Sequence, residues 1–280
     1  MQGFKRSLTW MLVLLALGAC SGAATLRDAQ DSFNEAAAGE NRLRYGDSLG
    51  DLRPADFNAG SEVAAVLAVR NGYAESIAII DSLGVEQTSL LKREGLWGGA
   101  LALQAMALWR LTKYEQALEK ARGATEEAGG LGVRDLAMIR ALPSLIRNDQ
   151  ANRKIASSEE ADGDPAARLA EAGALLDGAM TDLEALRAEI GEGEPVQLYL
   201  IQSLFVVYLN KRDACRKQHS GLRDQNDCAC PMKRQAQEAF NDADGLLEAS
   251  VPAEERTAFN RFWGGKTGLA AGREPEACEG

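Results

Sequence analysis

The side chains with the clearest chemical potential lie towards the end of the chain, where three cysteines and the only histidine are clustered. They are Cys215, His219, Cys228 and Cys230, and Cys278 follows close to the C-terminus. One histidine and three thiolates could coordinate zinc tetrahedrally. Four cysteines could instead form two disulfides, which is the commoner fate of thiols outside the cytosol, and a zinc site would leave Cys278 unpaired. We therefore expect disulfides and no bound metal.

The spacing of these cysteines restricts their pairing. A bond between Cys228 and Cys230 would require an unfavourable Cα geometry, because a single residue separates them. The sequence predicts that Cys215 pairs with one of these two and that Cys278 pairs with the other. Which partner each takes stays open. One bridge would staple the connection between two predicted helices, and the other would hold the C-terminal tail.

A serine between glycines, in Gly46-Asp47-Ser48-Leu49-Gly50, is the next candidate for chemistry. It fits G-x-S-x-G, in which a tight turn between a strand and a helix exposes a nucleophilic serine. The segment also resembles the signature of the GDSL esterases. However, the residues before it are mostly polar and cannot form a buried strand, and Arg216 stands where that family has the aspartate of its D-x-x-H block. A loop between helices explains the glycines without catalysis.

Gly265-Lys266-Thr267 resembles the end of a phosphate-binding loop. Asn260 replaces the first glycine of that motif, and a predicted helix precedes it instead of a strand. With both motifs rejected, we expect no catalytic residue and no cofactor, and we predict that the protein is not an enzyme.

The segment around the cysteine cluster is basic although the whole chain is acidic, with a formal net charge of -10. Its cationic residues are Lys211, Arg212, Arg216, Lys217, Arg223, Lys233 and Arg234. They could form a patch for an anionic ligand, but ordinary solvated surface is the favoured interpretation. The acidic balance disfavours nucleic acid as a partner, because that binding depends on neutralising phosphates.

The N-terminus reads as an export signal. Lys5 and Arg6 precede a short apolar run, 8–19, that ends in small residues. The segment Leu17-Gly18-Ala19-Cys20 resembles the lipobox of bacterial lipoproteins. This resemblance implies that 1–19 is a signal peptide, that Cys20 carries lipid, and that Ser21 directs the protein to the outer membrane, facing the periplasm. An ordinary secretory signal with a chance cysteine is the alternative.

The rest of the chain is rich in alanine, leucine, glutamate and arginine, which indicates an all-α fold. Helices are expected near residues 24–38, 60–83, 88–94, 98–111, 113–127, 133–147, 165–190, 195–213, 231–249 and 253–263. Pro165 and Pro195 suit first-turn positions. The polar stretch 157–164 is the expected linker between an N-terminal half, 20–156, and a C-terminal half, 165–280, which would contain the cysteine-rich loop.

Two of these helices carry an apolar pattern that suits a hairpin: Leu101, Ala105, Leu108, Leu111, Tyr114, Ala117, Ala121 and Ala124. The pattern resembles one unit of the tetratricopeptide (TPR) family. In that resemblance Ala105 is the small residue of the first helix, Tyr114 opens the second, and Ala117 lies at the closest crossing, where small residues let helices approach. Leu101 stands where the family usually has Trp. The resemblance implies antiparallel helical hairpins and a TPR-like α-solenoid; an unrelated helical bundle is the alternative.

Stacked hairpins form surfaces that bind peptides, helices or other proteins. The leading hypothesis is therefore a non-catalytic, lipid-anchored envelope protein that acts as an interaction scaffold for another envelope protein or peptide. The membrane would be reached through the lipid anchor alone. The alternative is a ligand-binding accessory protein of a periplasmic transport system, with a cavity opened by small residues such as Gly98, Gly99 and Ala102.

Overall fold

The computed structural model describes residues 22–40, 42–43, 63–159, 164–190, 196–219, 222–250, 253–275 and 278. Within these ranges every regular element is a helix, and consecutive helices pair side by side in antiparallel fashion. This confirms the predicted all-α class of antiparallel helical hairpins. Three predictions, lipidation at Cys20, the loop Gly46–Gly50 and the first-turn position of Pro195, lie outside the described residues.

The chain divides into two compact units, Met1–Ile139 and Arg140–Gly280. The helices of the first unit are α1 (22–40), α2 (Ala64–Asp81), α3 (Val85–Arg93), α4 (Trp97–Arg110) and α5 (Tyr114–Glu126), followed by a short 3-10 turn (Ala128–Gly130) and by the start of α6 (Val133–Ala156). The helices that follow are α7 (Pro165–Ile190), α8 (Val196–Gln218), α9 (Leu222–Ser250) and α10 (Ala253–Thr267).

The boundary between the units falls inside α6, whereas the predicted linker, 157–164, follows that helix. Ser157–Glu159 forms a short 3-10 turn after α6. The helix bounds predicted for α4, α5 and α7 differ from the observed ones by one residue at most at each end.

The α4–α5 hairpin has the predicted register. Ala105 and Ala117 are fully buried, while Glu119 is exposed. The two helices approach closely: a Cβ at Gly98 would lie 2.3 Å from the carbonyl oxygen of Glu127, so only glycine fits there. The hairpin turns at Thr112, whose φ of 64° is in the left-handed region. Alanines thus set a short distance between the helices, as in the TPR-like pattern.

Helices α1 and α2 form a second antiparallel pair with equally close backbones. The hydroxyl groups of Ser76 and Ser32 donate hydrogen bonds to the α1 carbonyl of Ala29 (2.8 Å) and to the α2 carbonyl of Gly72 (3.0 Å), respectively. The phenol of Tyr73 donates to the buried carboxylate of Glu40 at 2.6 Å. Side chain to backbone bonds between helices require a small separation, which here is made possible by serine and glycine at the contact.

The second unit is assembled differently, with long charged side chains between its helices. Three ion pairs join α6 to α7, namely Arg140–Glu189, Arg147–Asp182 and Lys154–Glu171. The basic members recur every seven residues, so they lie along one face of α6. The hydrogen bonds from Arg140 and Lys154 lower the pKa values of Glu189 and Glu171, respectively.

Helix α8 is the centre of the second unit's core. Leu200, Leu204, Phe205 and Val207 are all buried within it. Aromatic rings attach α10 to this core, since Trp263 meets Phe205 edge to face with centroids 4.9 Å apart. Phe259 and Trp263 of α10 therefore act as packing residues of the second unit.

The C-terminal tail after α10 lies along α9. Gln237 holds the backbone of Ala270 from both sides: its amide nitrogen donates to the carbonyl oxygen at 2.7 Å, and its amide oxygen accepts from the N–H at 3.2 Å. Asn241 accepts from the N–H of Gly272 and donates to the carbonyl of Arg273. Leu269 anchors the tail in the core with 3% of its surface exposed. Residues 269–273 are therefore packed as a part of the second unit.

The cysteine-rich segment is helical, which corrects the predicted loop. Helix α8 runs to Gln218 instead of 213, and α9 begins at Leu222 instead of 231. Pro231, the first residue of the predicted helix 231–249, lies inside α9. Its ring removes one backbone donor from the helix, and two disulfides, at Cys228 and Cys230, hold this helix just before the proline.

Candidate binding grooves

Helices α7, α8 and α9 form a wide groove of about 1160 Å³, here called the α7–α8–α9 groove. Its floor is a stripe along α8: Gln197, Ile201, Leu204 and Tyr208. The intervals of four, three and four residues place these side chains on one helix face. Its walls are Glu184, Arg187 and Ala188 of α7, and Asn241, Asp242, Gly245 and Leu246 of α9.

Charged and polar groups surround the apolar floor of this groove. Arg187 pairs with Asp242 at 2.8 Å and so connects α7 with α9. The phenol of Tyr208 donates to Glu184 at 2.7 Å. Burial, and then the hydrogen bond to Glu184, raise the pKa of Tyr208 well above its ordinary value of 10.0. Tyr208 therefore stays a neutral hydrogen-bond donor and does not act as a base at physiological pH.

The lining of the α7–α8–α9 groove has the composition of a binding surface. It contains no cysteine, histidine, serine or threonine, and its two carboxylates, Glu184 and Asp242, are engaged with Tyr208 and Arg187. Charged walls above a buried, half-apolar floor suit a polypeptide segment that carries both apolar and charged side chains. None of these residues was singled out from the sequence, although the spacing along α8 was a readable signal.

The first unit has a smaller cleft of about 290 Å³, here called the α1–α4–α6 cleft. Its apolar lining includes Leu26, Phe33, Leu103, Met106, Leu131 and Met138, and its polar residues are Gln30 and Asp135. Gly99 and Ala102 of α4 complete one wall. The cleft is thus far more apolar than the α7–α8–α9 groove.

Gly98 and Gly99 are adjacent in α4, but their surroundings differ. A Cβ at Gly98 would collide with the backbone of Glu127, whereas a Cβ at Gly99 would have no atom within 4 Å. A glycine inside a helix costs roughly 0.5–1 kcal/mol relative to alanine. At Gly98 this free-energy cost is offset by the close packing that only glycine allows. At Gly99 no neighbour requires glycine, and the missing side chain only leaves the cleft open.

The cysteines predicted to form disulfides are joined in two pairs. Cys215 is bonded to Cys228 and Cys230 to Cys278, with Cα–Cα distances of 6.1 Å and 5.7 Å. The prediction of disulfides is confirmed, and the open choice of partner for Cys215 is resolved in favour of Cys228. Sulfur atoms in these bonds cannot serve as the thiolate ligands of the alternative zinc site near His219. In the described ranges, no three histidine, cysteine or acidic side chains converge on a possible metal position.

Several residues of the basic segment have local partners. Lys211 pairs with Asp177 and Arg212 with Asp213, while Arg234 lies 3.8 Å from Glu238 one helical turn away. Lys217 donates to the carbonyl of Ile155. Such pairing favours the interpretation of this segment as ordinary structured surface over an anion-binding patch.

Comparison with known proteins found no match: no family model, curated protein or solved structure matches this chain. Among the helices of the described ranges, none combines the length and the apolar character needed to cross a membrane.

Proposed function

We propose that this protein is a non-catalytic, lipid-anchored scaffold of the bacterial cell envelope that binds another envelope protein or peptide through the α7–α8–α9 groove. The observation that carries the proposal is the composition of that groove, in which charged residues of α7 and α9 stand on either side of a buried floor and leave Leu246 partly exposed. The lipid anchor rests on the lipobox-like segment ending at Cys20. The two disulfides support an exported location, because such bonds persist in oxidising compartments.

The groove indicates the chemistry of the partner. Leu246 and Ala188 are the apolar lining residues that keep exposed surface, because Ile201 and Leu204 beneath them are almost fully buried. Both signs of charge lie beside them in Arg187 and Asp242. An amphipathic helix or extended segment with apolar side chains and flanking charges of both signs would complement this arrangement. A strongly one-signed ligand would meet a repulsive charge on one wall.

A photo-crosslinking amino acid introduced at Gly245 would test the scaffold in living cells. Gly245 lines the groove, and its Cβ direction leads into open space, so a larger side chain is tolerated. Gly173 of α7 is the matched control, because its Cβ direction is equally open but it does not line the groove. We expect crosslinking at position 245 to one identifiable envelope protein, and none to that protein at 173.

A groove-filling variant provides the second half of the test. Gly245→Trp should abolish binding of the crosslinked partner while leaving helical content and thermal unfolding unchanged. Equal crosslinking at both positions, or binding that survives Gly245→Trp, would show that the groove is not the interaction surface. Intact-mass analysis of the native protein tests the anchor separately, since an unmodified residue 20 would refute lipidation.

A ligand-binding accessory of a periplasmic transport system is the second candidate function. The α1–α4–α6 cleft favours it, because this space is mostly apolar and is kept open by a glycine that packing does not require.

A further inference from the structure

The α1–α4–α6 cleft has three properties of a small-molecule site. Its volume of about 290 Å³ lies near the lower end of the usual range for ligand pockets. Its lining comes from α1, α4, the 3-10 turn and α6, so it is built from elements of one compact unit. Phe33, Met106 and Met138 provide polarizable surface that adapts to the shape of an aromatic group.

The lining of the α1–α4–α6 cleft carries a negative charge. Asp135 is exposed and has no ion-pair partner among the described residues. None of the other lining residues is charged; Gln30 is the remaining polar side chain. A ligand that fills the cleft therefore meets one unpaired carboxylate and an otherwise apolar wall, which complements a hydrophobic body carrying a single positive charge.

We propose that the α1–α4–α6 cleft binds a small hydrophobic amine, with its apolar or aromatic body against Phe33, Met106 and Met138 and its ammonium group beside Asp135. The small volume favours a compact molecule over a folded partner. Gly99 provides part of the space, since any side chain there would project into the open region next to the ligand body.

The probe for this proposal is 2-phenylethylamine, tested by isothermal titration and ligand-observed NMR on the purified protein. Two molecules with the same aromatic body serve as comparisons, namely 2-phenylethanol, which is neutral, and 3-phenylpropionate, which is anionic. We expect one equivalent of the amine to bind, the alcohol to bind about fivefold more weakly, and the carboxylate to bind least, as a partly exposed ion pair would give.

Two variants locate the binding. Gly99→Leu should fill the cleft and weaken amine binding by about tenfold or more. Gly173→Leu makes the same replacement in an open helical position of the second unit and should leave binding unchanged. Asp135→Asn should remove most of the preference for the amine over the alcohol while keeping the binding of both.

Equal affinity for all three probes, or unchanged binding by Gly99→Leu, would overturn the proposal. Binding of none of the probes to the unaltered protein would overturn it as well; the cleft would then be left as a seat for an apolar side chain of a partner polypeptide.

Discussion

The α1–α4–α6 cleft and the α7–α8–α9 groove both lie between helices and both include a helical glycine with open space around it, yet their helices are held apart in different ways. In the first unit, alanine, serine and glycine bring the backbone of α1 close to α2 and that of α4 close to α5. Beside the groove, ion pairs such as Arg187–Asp242 span the gap between helices. Small residues give a narrow apolar space, whereas long charged side chains give a wide one whose edges respond to salt and pH.

The test with the largest expected effect is removal of the disulfide that closes the longer loop, Cys230–Cys278. The double variant Cys230→Ser with Cys278→Ser should lower the free energy of unfolding of the second unit by about 4 kcal/mol, because the bond closes a loop with a sequence separation of 48. Chemical denaturation followed by hydrogen–deuterium exchange would assign the loss to one unit.

Removing Cys215–Cys228, with a separation of 13, should cost about 3 kcal/mol. An equal loss of protection in α1 to α5 would contradict the separate response of the two units.

Overpacking tests the close approach in the first unit. Ala117→Leu should lower the free energy of unfolding by about 1–3 kcal/mol, because Ala117 is fully buried between α4 and its neighbours. Glu119→Leu is the control on the exposed face of the same helix and should change the free energy by less than about 0.5 kcal/mol. Thermal melts of both variants decide the matter, and a damaging Glu119→Leu beside a neutral Ala117→Leu would disprove the hairpin register.

A buried carboxylate tests the charged packing of the second unit. Asp244 of α9 accepts two hydrogen bonds from Arg256 and one from Asn260 of α10, at 2.6–2.7 Å. Asp244→Ala should lower the free energy of unfolding by about 1.5 kcal/mol at pH 7, since hydrogen bonds to charged groups are the stronger class. Hydrogen–deuterium exchange in α10 would report the effect.

The same residue gives a pH dependence with a definite sign. The hydrogen bonds from Arg256, and then from Asn260, hold the pKa of Asp244 below its ordinary value of 3.8. Its contribution is therefore complete above that value and is lost as the pH falls through the lower pKa of the folded protein. The stability difference between Asp244→Ala and the unaltered protein should disappear in that acidic window, and a difference that grows on acidification would contradict this role.

The smallest expected effect concerns the exposed ion pairs between α6 and α7. Arg147→Gln removes the partner of Asp182 and should cost about 0.5 kcal/mol at low ionic strength, because both side chains are largely solvated. At 1 M salt the difference should vanish through screening. Urea unfolding at the two salt concentrations measures it, and a cost that persists at high salt would mean that packing, not charge, is lost.

Local sequence patterns were sufficient to predict those helices whose bounds and buried faces depend on their own residues. Pro165 opens α7 as expected, and the alanine spacing of α4 and α5 gave both the helices and their facing sides. The start of α9 could not be read in the same way, because Pro231 is a strong local signal for a first turn. Its interior position is compatible with a helix that two disulfides hold before the proline and that core residues such as Phe240 hold after it.

The grooves were less accessible to prediction than the helices. A buried stripe such as Ile201 and Leu204 looks the same in sequence whether a third helix covers it or two helices flank it. The separation of α7 from α9 depends on pairs such as Arg187 and Asp242, which are 55 residues apart in the chain. Gly98 and Gly99 illustrate the same limit, since adjacent identical residues serve close packing in one case and an open space in the other.

The bond between Cys230 and Cys278 also determines how the second unit would carry mechanical load. A pulling force applied at Cys278 passes directly into α9 at Cys230, because the covalent bond is the shortest path between them. The residues between these two cysteines, with the whole of α10, form a closed loop outside that path and bear no tension. Stretching the oxidised protein from this end should therefore extend the chain N-terminal to Cys230, except for the segment that Cys215–Cys228 encloses, and reduction should release both enclosed segments as additional contour length.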